Sequence, residues 1–196
     1  MEVAAKARMP SRAPEADLEL IERHRVGDLT AFDEIFNRYE HMVFNLALRM
    51  SGDREEAADL SQEIFLRVYR HMGRFRGRSS LKTWIYRVAL NCCRSRLSRR
   101  RLPVLSVPDA AGDVLERIRD RRAGPERLAI GKDRARQLFD ALLKLPRVYR
   151  EAVVLRDVEE LAYDEIAAVL GVRLGTVRSR IARGRDRLRR MLEAEE

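Results

Sequence analysis

Apolar residues recur along most of this chain at steps of three and four, the spacing of one helix face. Phe32, Ile35, Phe36, Tyr39, Val43, Leu46 and Met50 form the longest such stripe, with Thr30 and Asp33 resembling a capping pair at its start. Gly52 predicts the end of that helix, and Asp53 with Glu56 predicts the start of the next. This second long helix buries Ala57, Leu60, Ile64, Phe65 and Val68, and a shorter opening helix carries Leu18 and Ile21. The segment "HMGRFRGRSS" then breaks the pattern with two glycines. Ser79 or Ser80 caps a further helix, whose apolar face is Leu81, Trp84, Ile85, Val88, Ala89 and Cys92. It runs out into "RSRLSRRR", five arginines among eight residues.

From residue 102 to 125 the periodicity lapses. Pro103, Pro108, Pro125, Gly112 and Gly124 predict a linker, holding a helical turn or two around Val114 to Arg121. Helical spacing resumes at Leu128, Ala135, Leu138, Phe139 and Leu142. Pro146 suits the first turn of a following helix that carries Val148, Ala152, Val153 and Leu155. No stretch shows the alternation of a strand. The expected fold is all-α: a disordered lead-in over 1–16, two small helical domains over 17–101 and 126–196, and a flexible linker over 102–125.

The last part of the chain, "LAYDEIAAVLGVRLGTVRSRIARGRDRLR" from Leu161, predicts a helix-turn-helix. Ile166, Ala167 and Leu170 pack the first helix, Gly171 supplies the corner and Val172 plugs it. Val177, Ile181 and Leu188 face inward on the second helix, leaving Thr176, Arg178, Ser179, Arg180 and Arg183 toward solvent. From Leu161 to Leu192 there are eight arginines against three acids, and lysine is nearly absent. Forked guanidinium donors suit phosphates and guanine edges.

Composition adds direction to this. The 196 residues have a formal net charge of +9, which favours an anionic partner, nucleic acid first. Charged residues reach 36% and aromatics only 6%, as in helices with fully charged outer faces and unlike a sandwich or barrel. The adjacent Cys92 and Cys93 and the scattered His24, His41 and His71 give no metal-ligand spacing, so neither metal nor cofactor is expected. The cysteines fit small apolar helix positions in a reducing compartment. No apolar run approaches membrane-spanning length, and the N-terminus lacks an apolar signal core. A cytoplasmic chain without membrane insertion of its own is expected.

The first domain carries its own signals. Asp59, Gln62, Glu63 and Arg67 line the polar face of the second long helix, which by composition alone is an ordinary exposed face. Trp84 and Tyr86 interleave with arginines, an arrangement that can stack on unpaired bases, although the register of Trp84 with Leu81 and Val88 favours core packing.

Three segments, "DLSQEIFLRVYR" (Asp59–Arg70), "FRGRSSLKTWIYRVALNCCRSRL" (Phe75–Leu97) and "LPRVYREAVVLRDVEELAYDEIAAVLGVRLGTVRSRIARGRDRLR" (Leu145–Arg189), resemble the successive signature regions of extracytoplasmic function (ECF) sigma factors. The resemblance spans Leu18 to Leu192 in order. It implies that Asp59, Gln62 and Glu63 dock on the clamp helices of the largest subunit of core RNA polymerase. The loop Phe75, Arg76, Gly77, Arg78, Ser79, Ser80 matches the one that captures a flipped base of the −10 element. Trp84, Tyr86, Arg87, Asn91 and Arg94 match the helix that supports strand separation. Arg173, Thr176, Arg178, Ser179, Arg180, Ala182 and Arg183 match the −35 reader. The linker would thread the polymerase cleft, with the flap as a further contact. Promoter DNA and an anti-sigma protein are the other implied partners, and no catalysis is implied. The chain departs from the family pattern at Leu90, Ser95, Ala182 and Arg173, where arginine replaces the usual Ser or Thr cap.

Two rival classes fit less. A dimeric repressor needs a sensory or dimerisation domain, and the first domain shows neither a phospho-acceptor βα pattern nor heptads. A recombinase needs a nucleophile or carboxylate–metal constellation, and none is visible.

Overall fold

The computed structural model describes residues 14–99 and 125–194. Among the described residues there are helices and no strand. α1 spans Glu15–Arg25, α2 Thr30–Ser51, α3 Arg54–Met72 and α4 Leu81–Arg99. α5 spans Pro125–Lys144 and α6 Arg147–Val153, which continues as a π-helical turn over Val154–Val158. α7 spans Tyr163–Leu170 and α8 Leu174–Glu193. The lead-in before Pro14, the linker before Pro125 and the turn expected around Val114 to Arg121 lie outside the described residues.

The N-terminal unit packs α2, α3 and α4 against one another, with α1 laid on α2. Its core is the predicted stripes: Ile35, Val43, Leu46, Leu60, Ile64, Val68, Leu81 and Ile85 are fully buried. Phe36 departs from the expected stripe and stays partly exposed. Local signals act largely where expected. Gly52 takes a left-handed φ of 77° and its N–H donates to Leu48 O at 2.8 Å, closing α2. The Asp53 carboxylate accepts from the Glu56 N–H at 2.7 Å, opening α3. Ser80 is the cap of α4, accepting from the Thr83 N–H at 3.1 Å. The start of α2 differs from the expected Thr30–Asp33 pair. Leu29 is the cap position, and Asp28 accepts from both the Thr30 N–H and hydroxyl, at 2.9 and 2.6 Å. A carboxylate two residues ahead competes better for those donors than the residue inside the helix.

The C-terminal unit sets α8 across α6, α5 and α7. Gly184 lets α8 close on α6: a Cβ there would lie 2.5 Å from Val153 Cγ2. The two units also pack on each other, α4 against α7 and α2 against α5 and α6. Leu143 of α5 sits on Gly52, where a Cβ would lie 2.7 Å from Leu143 Cδ1. Arg150 Nη1 donates to Met50 O at 2.9 Å, joining α6 to the last turn of α2, where unpaired carbonyls favour a cation.

Gly184→Val places two branches where one Cβ already collides. Overpacking at a helix crossing typically costs about 1–3 kcal/mol. Urea unfolding of the variant should show that loss; an unchanged midpoint would contradict the close α6–α8 crossing.

Candidate nucleic-acid interface

The last two helices form the predicted corner. Gly171 closes α7 at φ 67°, and the Gly171 and Val172 N–H groups both donate to Ala167 O, at 2.9 and 3.2 Å. Val172 packs against the core beneath the turn. At the start of α7, Glu165 Oε2 accepts from the Ala162 N–H at 3.0 Å. α8 begins at Leu174 with Arg173 in the cap position and no side-chain cap, as its side chain dictates. Val177, Ile181 and Leu188 are buried, which turns Arg178, Ser179, Ala182 and Arg183 outward. Thr176 and Arg180 are half-buried at the flanks, and Arg173 is exposed.

The arginines of α8 differ in their partners, and Arg187 lies over the Tyr149 ring, 5.0 Å from its centroid. Arg185 pairs with Asp157, and Arg189 and Arg190 share Asp186. Arg178, Arg180 and Arg183, nearer the corner, have no carboxylate partner among the described residues. Their charge therefore stands uncompensated on the outer face of the first half of the helix.

In the N-terminal unit the loop from Gly73 to Ser80 is fastened from behind. Arg25 of α1 donates to Gly73 O at 2.9 Å and to Phe75 O at 2.8 Å. Phe75 is buried against Trp84, with ring centroids 5.6 Å apart. Gly77 is buried at φ 66°, while Arg76 and Arg78 project outward. Ser79 and Ser80 are half-buried. On α4, Trp84 is half-buried and Asn91 exposed. Tyr86 is fully buried, with its hydroxyl donating to Glu159. Arg87 donates to Ala168 O, and Arg94 donates to both oxygens of Glu151, at 2.9 and 2.7 Å.

On α3, Asp59 and Gln62 are exposed and Glu63 is half-buried. Arg96 reaches Glu56 at 2.9 Å, Asp59 at 3.1 Å and Glu63 at 3.6 Å. Partial burial pushes the Glu63 carboxyl up, but Arg67, a hydrogen bond with Cys92 and Arg96 outweigh it and hold the group below its ordinary value. The acidic face is thus partly neutralised from α4. Beside it lies an apolar groove lined by Phe32, Phe36, Gln62, Phe65, Leu66 and Tyr69. Leu66 is 57% exposed and Tyr69 40%.

The chain matches the models of Sigma-70 region 2 over residues 35–102 and Sigma-70 region 4 over 135–188. It is 36% identical over 184 residues to the RNA polymerase sigma-H factor of Pseudomonas aeruginosa, covering 91% of this chain and 95% of that one. It is 37% identical over 180 residues to the ECF RNA polymerase sigma-E factor of Escherichia coli K12, covering 87% and 91%. The chain belongs to the ECF sigma factors. Its fold is similar to that of CnrH in complex with the cytosolic domain of CnrY, with a TM-score of 0.65 at 25% identity, covering 93% of this chain and 100% of that one. It is also similar in fold to RpoE of Bartonella quintana in complex with the anti-sigma factor NepR, again at 0.65 with 20% identity, covering 86% and 100%. The ECF sigma factors are transcription regulators, and the match runs through both helical units.

Two features of this sigma factor escape sequence reasoning. Leu66 and Tyr69 stand exposed beside Asp59, Gln62 and Glu63 on α3, one position off the buried stripe of Ile64, Phe65 and Val68. Tyr86 and Phe75 belong to the core, because their apolar rings have neighbours from other elements to cover them. Among the described residues no group of three His, Cys, Asp or Glu side chains could hold a metal, and no helix is long and apolar enough to cross a membrane.

Cys92 and Cys93 are buried on α4. Burial raises their thiols to about 11 and about 12, respectively. At pH 8 about a thousandth of Cys92 is thiolate, the reactive form. The native protein should therefore resist iodoacetamide at pH 8 and react only when unfolded. Rapid alkylation of the folded chain would contradict this burial.

Proposed function

We propose that the two units divide promoter recognition between them. α3 presents Asp59, Gln62 and Glu63, with the flanking Leu66 and Tyr69, to the clamp helices of core RNA polymerase. The loop from Phe75 to Ser80 and the exposed side of α4 receive the −10 element as single strand. Arg76 and Arg78 hold its backbone, and Trp84, Arg87, Asn91 and Arg94 support the separated bases. The face of α8 bearing Arg173, Thr176, Arg178, Ser179, Arg180, Ala182 and Arg183 enters the major groove at the −35 element. The observation that supports this most is the unpaired trio Arg178, Arg180 and Arg183 on the outer face of a packed helix-turn-helix.

The division has an energetic logic. Neutralising phosphates on duplex DNA supplies affinity that falls steeply with salt. Extruding a base costs a few kcal/mol of stacking. Tethering through polymerase raises the effective concentration of the second contact and offsets that cost. The chain acts by binding rather than by catalysis, and works in the cytoplasm, where polymerase and DNA meet. The solved complexes of CnrH with CnrY and of RpoE with NepR support a protein inhibitor for this chain as well.

The double substitution Asp59→Ala with Gln62→Ala should weaken capture by immobilised core polymerase at least about tenfold, since interface hot spots carry about 2 kcal/mol or more. Helix content by circular dichroism should not change. Undiminished capture would contradict the docking assignment. Arg178→Ala should cost about 1–3 kcal/mol in promoter binding by the holoenzyme. If it holds a phosphate, the salt dependence should also become shallower by about one ion; if it reads a base, the loss should depend on the −35 sequence. An unaltered affinity on every sequence would contradict its role.

A further inference from the structure

The loop from Gly73 to Ser80 has few fastenings of its own. Among the described residues, the backbone of Arg76, Gly77, Arg78 and Ser79 makes no hydrogen bond to other backbone. Where those residues stand is therefore set at the two ends of the loop. At the far end Ser80 caps α4, its hydroxyl accepting from the Thr83 N–H. At the near end the chain leaves α3 in two tight turns, the Arg74 N–H donating to His71 O and the Phe75 N–H to Met72 O, both at 2.9 Å. Turns at a helix terminus fray unless another group holds them.

Here one side chain does so. Arg25, in the last turn of α1, donates from Nε to Gly73 O at 2.9 Å and from Nη2 to Phe75 O at 2.8 Å, while Nη1 meets Glu22. Gly73 is the cap residue at the end of α3, where carbonyls lack helix partners and the dipole favours a cation. The rigid fork of a guanidinium fits two carbonyls two residues apart, and a single ammonium does not present that geometry. The mount is stiff. Leu20 and Ile21 are buried on α1, Asp17 takes Arg38 at 3.1 Å, and Arg23 ties the end of α1 to Asp28 and Glu34, each at 2.8 Å. Beyond the two carbonyls, Phe75 is buried against Trp84 of α4. Arg25 thus holds the backbone that seats Phe75, and Phe75 leads directly into Arg76, Gly77 and Arg78.

We propose that Arg25 is a positioning residue for single-strand recognition, its fork setting the shape of the loop without touching DNA itself. The proposal rests on the assignment of that loop to the −10 strand. A loop already in its bound shape loses little entropy when the strand arrives. A loosened loop loses more and fits each base less closely.

Two full-length variants, Arg25→Ala and Arg25→Lys, test this. Trp84 is the only tryptophan of the chain, so its quenching by acrylamide reports the seat of Phe75. In the free protein, with helix content unchanged by circular dichroism, both variants should expose Trp84 more than wild type does. Quenching unchanged in both overturns the anchoring. With core polymerase bound, the probe is the non-template −10 strand of a promoter mapped by run-off transcription, as a fluorescent oligonucleotide and as a set with each base replaced in turn. Both variants should lose about tenfold of the wild-type preference for the native sequence, as expected from two lost hydrogen bonds to a charged donor. Binding of the same holoenzymes to a duplex that carries the −35 element alone should not change. Wild-type preference in Arg25→Ala overturns the positioning role, wild-type behaviour of Arg25→Lys overturns the fork, and equal losses on both DNAs overturn a role specific to the loop. If Arg25→Ala does not fold, Arg25→Lys carries the same readings. Failure of the −10 assignment registers differently: the wild-type holoenzyme then shows no base preference on the oligonucleotides, while the Trp84 result stands.

Discussion

Glu151 and Glu159 cannot be buried without cations; Arg94 and Arg49, which lie in the other half of the molecule, supply them, with Arg147 of its own helix adding to Glu151 at 3.7 Å. That constraint governs how the two helical units meet. Each unit is small and its core correspondingly modest. An apolar interface alone would leave the angle between them poorly specified. Carboxylates with fixed partners specify it, because an unpaired charge in that position is costly. Leu143 against Gly52 and Arg150 against the end of α2 then add packing and hydrogen bonding to the same seam.

Charge placement varies along α8. Asp157 and Asp186 neutralise the arginines that lie toward the rest of the unit and the C-terminal end of the helix. Among the described residues Arg178, Arg180 and Arg183 have no acid, while Arg187 stacks on Tyr149. On α3 and α4, Arg96 gathers three carboxylates, so the acidic face of α3 offers ordered acids and an adjoining apolar groove.

Much of this was legible in the sequence, for local reasons. Asp53, Ser80 and Gly52 act through hydrogen bonds and φ angles within a few residues, so their roles follow from position. The apolar stripes of α2, α3 and α4 fall where spacing put them, and Gly171 makes the corner. What could not be read depends on distant partners. Asp28 takes over the start of α2 by out-competing Asp33. Tyr86 looked like a base-stacking residue because nothing in its own helix revealed that Glu159, 73 residues on, would accept its hydroxyl proton. The π turn has no sequence marker: "VLRDV" has ordinary helix-compatible residues. The candidate functional residues were therefore found by motif, while their present engagement needed coordinates.

The central claim is that this ECF sigma factor opens a promoter only together with core polymerase. Permanganate probing of thymines across a promoter mapped by run-off transcription tests it directly. Reactive thymines in the −10 region with sigma and core together, and none with either alone, is the predicted result. Melting by the sigma factor alone, or no melting on any promoter that the holoenzyme binds, would contradict it.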